Sequence, residues 1–290
     1  MDKGFWAGAK KSWRYLRANP FFAVVFVLLA ALLFLVLVGP VFYEGNPNQQ
    51  NLSSRLRPPG SRIGETTLLL GSDQLGRDML GRLMFGGRVT LAMSSAAVLL
   101  ATLLGVGLGI WAGFARGVID SLVVNIMNIQ LSVPTLILAI TLAGTLGRSW
   151  QNLVLVLAVT SWVPIGRIVR AETLAAASQE YVEAARSTGA SSLHIMRQHI
   201  LPNVSSSIFV VVSLQLARVI LAETSLAFLG LGDPSMPSWG AMLADARVYM
   251  VVAWWTAVLP GLGTFLLVLG ANIVGDFLRD VLDPKLTTRR

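Results

Sequence analysis

The sequence has 290 residues, of which 54% are hydrophobic and only 13% are charged. Soluble domains carry about 25% charged residues, so this composition excludes a single water-soluble core and indicates an integral membrane protein. The net charge of +8 fits basic ends and loops beside anionic lipid better than a nucleic-acid partner. The sequence contains no cysteine, which excludes disulfides and thiolate metal sites.

The chain opens with a basic segment, residues 1–20, followed by an apolar run over residues 21–43. That run is too long for the apolar region of a signal peptide and long enough to cross a bilayer. We therefore predict an uncleaved first transmembrane helix over 21–43, with residues 1–20 in the cytoplasm.

Residues 44–87 are predicted to form an extracytoplasmic loop. Its first half is rich in Asn, Gln, Pro and Gly, which is typical of irregular structure. The sequence GSDQLGRDMLGRLMFGGR (71–88) then carries apolar residues at helical spacing opposite charged ones. This pattern predicts a short interfacial helix capped by Ser72 or Asp73.

Five further apolar stretches are long enough, at about 1.5 Å per residue, to cross a bilayer. These predicted spans cover residues 89–115, 121–147, 150–166, 204–232 and 248–275. With the first helix they make six transmembrane helices. Both termini, including the tail 281–290, are then cytoplasmic, because the segments on that side hold most of the Lys and Arg.

Prolines interrupt three of these spans, at Pro134, Pro164 and Pro260. Proline lacks the N–H of a helical turn and predicts a kink, which a bilayer tolerates only where protein or water covers the freed carbonyl groups. Tight helix packing accounts for one such break, whereas several in one chain favour a transport path.

A polar segment, QEYVEAARSTGASSLHIMRQHILPN (179–203), separates the fourth and fifth spans. We expect two short cytoplasmic helices, of which the first begins at Ser178 and ends at Gly189, the residue that best tolerates a positive φ. Ser191 or the next serine would cap the second helix, and Pro202 would end it. Small and acidic residues beside a glycine bend favour a docking surface for a partner over an ordinary helical loop.

Most of this segment, EYVEAARSTGASSLHIMRQHILPN, resembles the EAA loop of ABC importer permeases, although His199 stands where the general pattern has an aliphatic residue. Three other blocks resemble the C-type permease subunit of dipeptide, oligopeptide and nickel importers. They are GSDQLGRDMLGRLMFGGRVTL (71–91), ETSLAFLGLGDPSMPSWGAMLADAR (223–247) and AWWTAVLPGLGTFLLVLGANIVGDFLRDVLDPKL (253–286). The resemblance implies an all-α, type I ABC importer permease fold, with its core over 88–280 and a coupling loop over 172–203.

The resemblance also implies partners: a homologous B-type permease, two ATPase subunits that hold ATP and Mg²⁺, and an extracytoplasmic solute-binding protein. In such importers a coupling helix docks in a cleft of an ATPase. The docking residues carried over are Tyr181, Glu183, Ala184, Ala185, Arg186 and Gly189. The implied location is the bacterial plasma membrane and the implied cargo a di- or oligopeptide, with a nickel chelate, haem, glutathione or an antimicrobial peptide as alternatives.

Arg218 and Glu223 are ionisable residues within the fifth predicted span, where an arginine costs about 2.5–3.5 kcal/mol on insertion scales. One interpretation is a structural link to another helix or to the partner permease. The other is a translocation path, in which Arg218 meets a peptide carboxylate and Glu223 a peptide amine. Residues five apart point to different faces of a regular helix, so a mutual ion pair is not assured.

Enzymatic chemistry is not expected of this chain. The sequence has no G-x-x-x-x-G-K-[ST] phosphate loop and no H-E-x-x-H or G-x-S-x-G motif. His194 and His199 would lie about 140° apart around an α-helix, which disfavours a shared metal ion, and we expect no cofactor here. The competing hypotheses are an ATP-independent secondary transporter or channel, which would couple ions at Arg218 and Glu223, and a membrane anchor, which would not need kinked helices.

Overall fold

The computed structural model describes residues 20–63 and 66–282. Within them the helices, in chain order, are α1 (Pro20–Leu37), α2 (Gly39–Phe42), α3 (Met79–Ala115), α4 (Gly117–Ser132), α5 (Thr135–Leu146), α6 (Trp150–Ala177), α7 (Glu180–Ser187), α8 (Ser192–Ile195), α9 (Leu201–Phe228), α10 (Trp239–Ala246) and α11 (Trp255–Leu282). One small hairpin pairs β1 (Ser61–Ile63) antiparallel to β2 (Thr66–Leu68), with the first residue of β1 opposite the last of β2.

Four helical stretches in the described residues are long and apolar enough to cross a membrane: α3, α6, α11 and the run from α8 through α9. α4 and α5 together are a fifth candidate, because they pass the same test as a pair although they bend by 89°. The apolar part of α1 in the described residues, Ala23–Leu37, is shorter. The described residues thus hold four or five spans, and the count of six stays a prediction.

The prolines behave differently from one another. The break between α4 and α5 falls at Pro134, where the sequence predicts a kink, and the preceding Val133 is extended (φ −101°, ψ 129°), as a residue before proline prefers. α6 and α11 instead continue through Pro164 and Pro260. The fourth span therefore does not end at residue 166 as predicted.

Among the described residues, α3 and α6 form the most extensive contact between two helices. Gly105, Gly109 and Gly113 recur every four residues on α3 and face α6. A methyl group on Gly109 would lie 2.8 Å from the carbonyl oxygen of Gly166. Small residues at this spacing allow two membrane helices to approach closely. This glycine stripe therefore allows the close contact between α3 and α6.

The prediction of a separate interfacial helix within residues 71–88 is wrong. α3 begins at Met79 and continues unbroken to Ala115, so its first turns include the segment in question. Its cap is neither Ser72 nor Asp73 but Asp78, whose carboxylate accepts hydrogen bonds from two backbone N–H groups of the first turn. Ser72 lies six residues before Asp78, and its hydroxyl instead donates to the carbonyl group of Ser54 and accepts from the backbone N–H of Arg57.

Asp73 belongs to a charged cluster at the start of α3. Its carboxylate lies 2.6 Å from Nε of Arg77 and 2.5 Å from Nη1 of Arg82. Nη2 of Arg77 also lies 3.1 Å from the carboxylate of Asp245 on α10. Burial alone would raise the pKa of Asp73, but the Arg82 charge and the Arg77 N–H hold that pKa below its usual value of 3.8. The cluster ties the segment before α3 to both α3 and α10.

α10 returns into the bundle after α9 ends. Trp239 at its start is completely buried, its backbone N–H donating to Oγ1 of Thr90 and its indole N–H to the carbonyl oxygen of Leu83. Gly87 and Gly263 leave the space that the indole ring fills, since a methyl group on either would overlap it. α10 is thereby fixed between α3, α9 and α11.

Candidate functional site

The polar segment lies where α6 ends and α9 begins, at the end of the bundle remote from α10. Val182 of α7, Ile195 of α8 and Ile200 are buried and pack with Ala176 and Ala177 of α6. This apolar cluster fixes α7 and α8 against the ends of two spans, so the segment is attached to the bundle by its own core.

Gly189 ends α7 as the sequence predicts. Its φ is +83°, a left-handed conformation that favours glycine. The N–H of Ala190 donates to the carbonyl of Ala185, and the N–H of Gly189 to that of Arg186, which are the two hydrogen bonds of a Schellman motif. The bend after α7 is therefore a defined turn.

Two predicted boundaries of the polar segment are wrong. α7 begins at Glu180, not at Ser178, whose hydroxyl donates to a carbonyl in the last turn of α6. Ser191 caps α8 as expected, but Pro202 does not end that helix, because a π-helical turn over Met196–Ile200 leads directly into α9. The helix continues into Pro202 because Ile200 and Leu201 keep helical backbone angles, and the N–H of Leu201 donates to the carbonyl of Met196.

The structure divides the expected docking residues into an exposed set and an inward one. Exposed are Tyr181, Glu183, Ala184, Arg186 and Gly189, whereas Ala185 is half-buried against the cluster beneath α7. Arg186 lies over the ring of Phe114, 5.0 Å from its centroid, and the amide of Asn203 donates to the hydroxyl of Tyr181. Glu183 and Ala184 thus form the part of the surface least engaged with the rest of the chain.

The prediction that His194 and His199 diverge is also wrong. Their ring centroids are 6.2 Å apart, because the wider π-helical turn between them departs from α-helical spacing. His199 lies at a similar distance, 6.1 Å, from the ring of Tyr181. Within residues 20–63 and 66–282, no three His, Cys, Asp or Glu residues cluster in a way that could hold a metal ion. The histidines therefore contribute ring contacts that join α7 to the π-helical turn.

A cavity of about 310 Å³ lies beside the break between α4 and α5. Its walls come from four helices: Gln130 and Thr135 flank the break, Pro164 belongs to α6, and Arg218 and Ser225 belong to α9. The cavity therefore lies inside the spans, where the sequence places its strongest kink.

Two glutamines replace the hydrogen bonding that Pro164 disrupts. Proline has no N–H for the carbonyl group four residues earlier, which belongs to Thr160. Nε2 of Gln130 donates to that oxygen at 3.2 Å, and Nε2 of Gln215 donates to the carbonyl of Ser161 at 3.1 Å. α6 can therefore continue through Pro164 because α4 and α9 supply polar partners.

Arg218 and Glu223 lie on different faces of α9, as their spacing predicts. Arg218 is exposed and borders the cavity. Glu223 is fully buried at 0% exposure, against the hydroxyl groups of Thr90 and Ser238. Of the two residues expected along a path, the structure brings Arg218 to the cavity and holds Glu223 in the interior near the start of α10.

Two family models match the chain. Residues 105–288 match the family described as binding-protein-dependent transport system inner membrane component, and residues 5–59 match the N-terminal TM domain of oligopeptide transport permease C. The chain belongs to the family of binding-protein-dependent transport system inner membrane components. It is a membrane-spanning transport permease, not a catalytic enzyme.

Two relatives refine this assignment. The di/tripeptide transport system permease protein DppC of Pseudomonas aeruginosa (strain UCBPP-PA14) is 37% identical over 265 residues, which are 91% of this chain and 87% of the relative. The glutathione transport system permease protein GsiD of Pectobacterium atrosepticum is 42% identical over 218 residues, 75% of this chain and 72% of the relative. The expected resemblance to C-type permeases of peptide ABC importers is confirmed.

A solved structure shares the fold. A chain of the inward-facing MetNI methionine ABC transporter superimposes with a TM-score of 0.59 and 21% identity, covering 70% of this chain and 97% of that chain. At this identity the likeness concerns the fold alone. The all-α, type I importer permease fold is thereby confirmed, and the roles of individual site residues stay predictions.

Proposed function

We propose that the chain is the permease subunit of an ATP-driven importer of di- and oligopeptides, forming half of the translocation path and coupling to ATPase subunits through α7. The geometry of α7 carries the proposal. Glu183 and Ala184 are exposed, while Val182 is buried in the cluster that anchors α7 to the ends of α6 and α9. A helix held in this way transmits the displacement of a docked partner to two spans.

The exposed face of α7 suits insertion into a groove of an ATPase. The methyl group of Ala184 permits close approach of a partner's backbone. Glu183 offers a carboxylate for a charge-assisted hydrogen bond, and the turn at Gly189 keeps the following chain clear. Tyr181, Ala185 and Arg186 support this surface from its edges. ATP and Mg²⁺ are held by the ATPase subunits, whose closure moves α7 and, with it, α6 and α9.

The assembly we propose has six spans in this chain, with α1 as the first and the bent pair α4 and α5 as the third. Both termini and the polar segment lie in the cytoplasm, and α10 with the segment before α3 lies outside, towards the solute-binding protein. The remoteness of α10 from the polar segment supports this orientation. A B-type permease supplies the other half of the path within the inner membrane.

Peptides are the cargo that the relatives favour. The N-terminal match to an oligopeptide permease domain and the di/tripeptide permease of Pseudomonas aeruginosa both support this choice. Glutathione is a second candidate, since the relative from Pectobacterium atrosepticum is a glutathione permease. Competition of each compound with a labelled dipeptide for uptake distinguishes the two.

Purification of the tagged chain from its host in mild detergent tests the assembly. Mass spectrometry of the bound proteins is expected to find a second permease and two ATPases, and the reconstituted complex is expected to take up peptide only with ATP. A lone chain or homo-oligomer that transports without ATP would contradict the proposal and support a secondary transporter.

A further inference from the structure

We propose that the cavity beside Arg218 is a subsite for the terminal carboxylate of the transported peptide. This inference rests on the proposed function, because it assigns a substrate group to one place on the path. The subsite consists of the Arg218 guanidinium and the apolar wall formed by Leu131, Leu136 and Leu221.

Arg218 contributes a positive charge to the wall of the cavity. Within residues 20–63 and 66–282, no hydrogen bond, ion pair or ring contact engages its guanidinium group. Other arginines in this part of the chain have carboxylate partners: Arg170 pairs with Asp120, and Arg77 and Arg82 pair with Asp73. A charged side chain in a span requires a partner or water, and for Arg218 either one comes from outside this part of the chain.

Several polar side chains that line the cavity are already hydrogen-bonded to backbone carbonyl groups. The amide groups of Gln130 and Gln215 donate to carbonyl oxygens beside the Pro164 break. The hydroxyl of Ser225 donates to the carbonyl of Leu221. The guanidinium is the charged group among the residues that line the cavity, and its paired N–H donors match the two oxygens of a carboxylate.

A volume of about 310 Å³ is at the lower end of small-ligand pockets and accommodates the last residue of a peptide. Since every peptide with a free end carries the α-carboxylate, a subsite for this group suits a path that admits many sequences.

The test measures ATP-dependent uptake by the complete complex, with its solute-binding protein, in proteoliposomes. Each test peptide is supplied in two forms, one with a free carboxylate and the other as the carboxy-terminal amide. Arg218→Gln is expected to lower uptake of the free acid about tenfold or more and to change uptake of the amide less than about twofold, since a charged hydrogen bond is lost only for the acid. Arg218→Lys is expected to retain part of the activity, and Arg148→Gln, at an exposed position away from the cavity, is the control.

A second readout does not depend on uptake of the amide. A tripeptide with a photoreactive carboxy-terminal residue and a free carboxylate is expected to crosslink to residues of the cavity wall during turnover. The crosslink is expected to be lost in Arg218→Gln and kept in Arg148→Gln.

Different results would overturn the subsite and the proposed function. Equal losses for acid and amide would show that Arg218 pairs with the partner permease, and would overturn the subsite. Uptake by the unaltered complex with no crosslink in the cavity would overturn it too. No ATP-dependent uptake by the unaltered complex would instead overturn the proposed function, and the subsite with it.

Discussion

Asp73 is a buried carboxylate that binds two arginine side chains and two backbone N–H groups. In Asp73→Asn the side-chain oxygen still accepts from the N–H groups of the turn, so the change removes mainly the charge. Buried Arg82 then keeps only the more distant and more exposed carboxylate of Asp245, 3.5 Å from its Nη1, and breaking a buried pair costs about 3–5 kcal/mol. Thermal unfolding of the purified protein is expected to show a correspondingly lower Tm.

The matched control is Asp245→Asn, which removes the more exposed carboxylate of the same cluster. An exposed pair contributes about 0–1 kcal/mol, so this Tm is expected to change little. Similar small shifts in the two variants would contradict a structural role for Asp73.

The same residue predicts a pH dependence. The pKa of Asp73 is lower in the folded protein than its usual 3.8, so the unfolded chain binds the proton first as the pH falls. The stabilisation by Asp73 is complete above about pH 4 and is lost as the pH falls through the folded pKa. A Tm series is expected to fall more steeply in this acid range for the unaltered protein than for Asp73→Asn. Parallel curves would refute the assignment.

At the scale of elements, the glycine stripe on α3 sets the distance to α6. Gly109→Ala places a methyl group 2.8 Å from a backbone oxygen of α6 and is expected to destabilise the protein by about 1–3 kcal/mol. Gly107→Ala is the control on the same helix, since nothing lies within 4 Å of its added methyl group. Alanine there favours the helix by about 0.5–1 kcal/mol. The Tm is expected to fall in the first variant and to hold or rise in the second; the reverse order would exclude close packing at Gly109.

Some features of the helices could be predicted from the sequence alone, and others could not. Apolar length indicated four membrane-spanning helices of the described residues, although α6 continues beyond the predicted end of the fourth span, and the proline in the third predicted the break that the structure contains. The glycine stripe is visible in the sequence as a four-residue spacing, but the close packing of α3 on α6 was not predicted from it. α6 continues through Pro164 because Gln130 and Gln215 donate hydrogen bonds to its backbone carbonyl groups. Both glutamines are distant from Pro164 in sequence, so no local pattern predicts this continuation. The π-helical turn was not predicted either, because a prediction from periodicity assumes regular α-helical spacing.

At the scale of the whole molecule, the two ends of the bundle differ in the elements that cover them. One end is closed by α10, Trp239 and the Asp73 cluster, which are tied to several spans. The other presents α7 on an apolar cluster beneath it. The docking residues followed from a resemblance rather than from packing, and the structure adds which of them face outwards. It also separates Arg218 from Glu223, a distinction that requires knowing which faces of α9 are covered.

The most direct test of the coupling role of α7 is Ala184→Trp in the reconstituted complex, measured as peptide uptake and ATP hydrolysis in the same proteoliposomes. A bulky ring on this surface blocks close docking, so uptake per ATP hydrolysed is expected to fall about tenfold or more while membrane insertion is unchanged. Val27→Trp, which adds the same ring to an exposed position of α1, is expected to leave the ratio intact. Undiminished coupled transport in Ala184→Trp would contradict the assignment of α7 as the coupling helix.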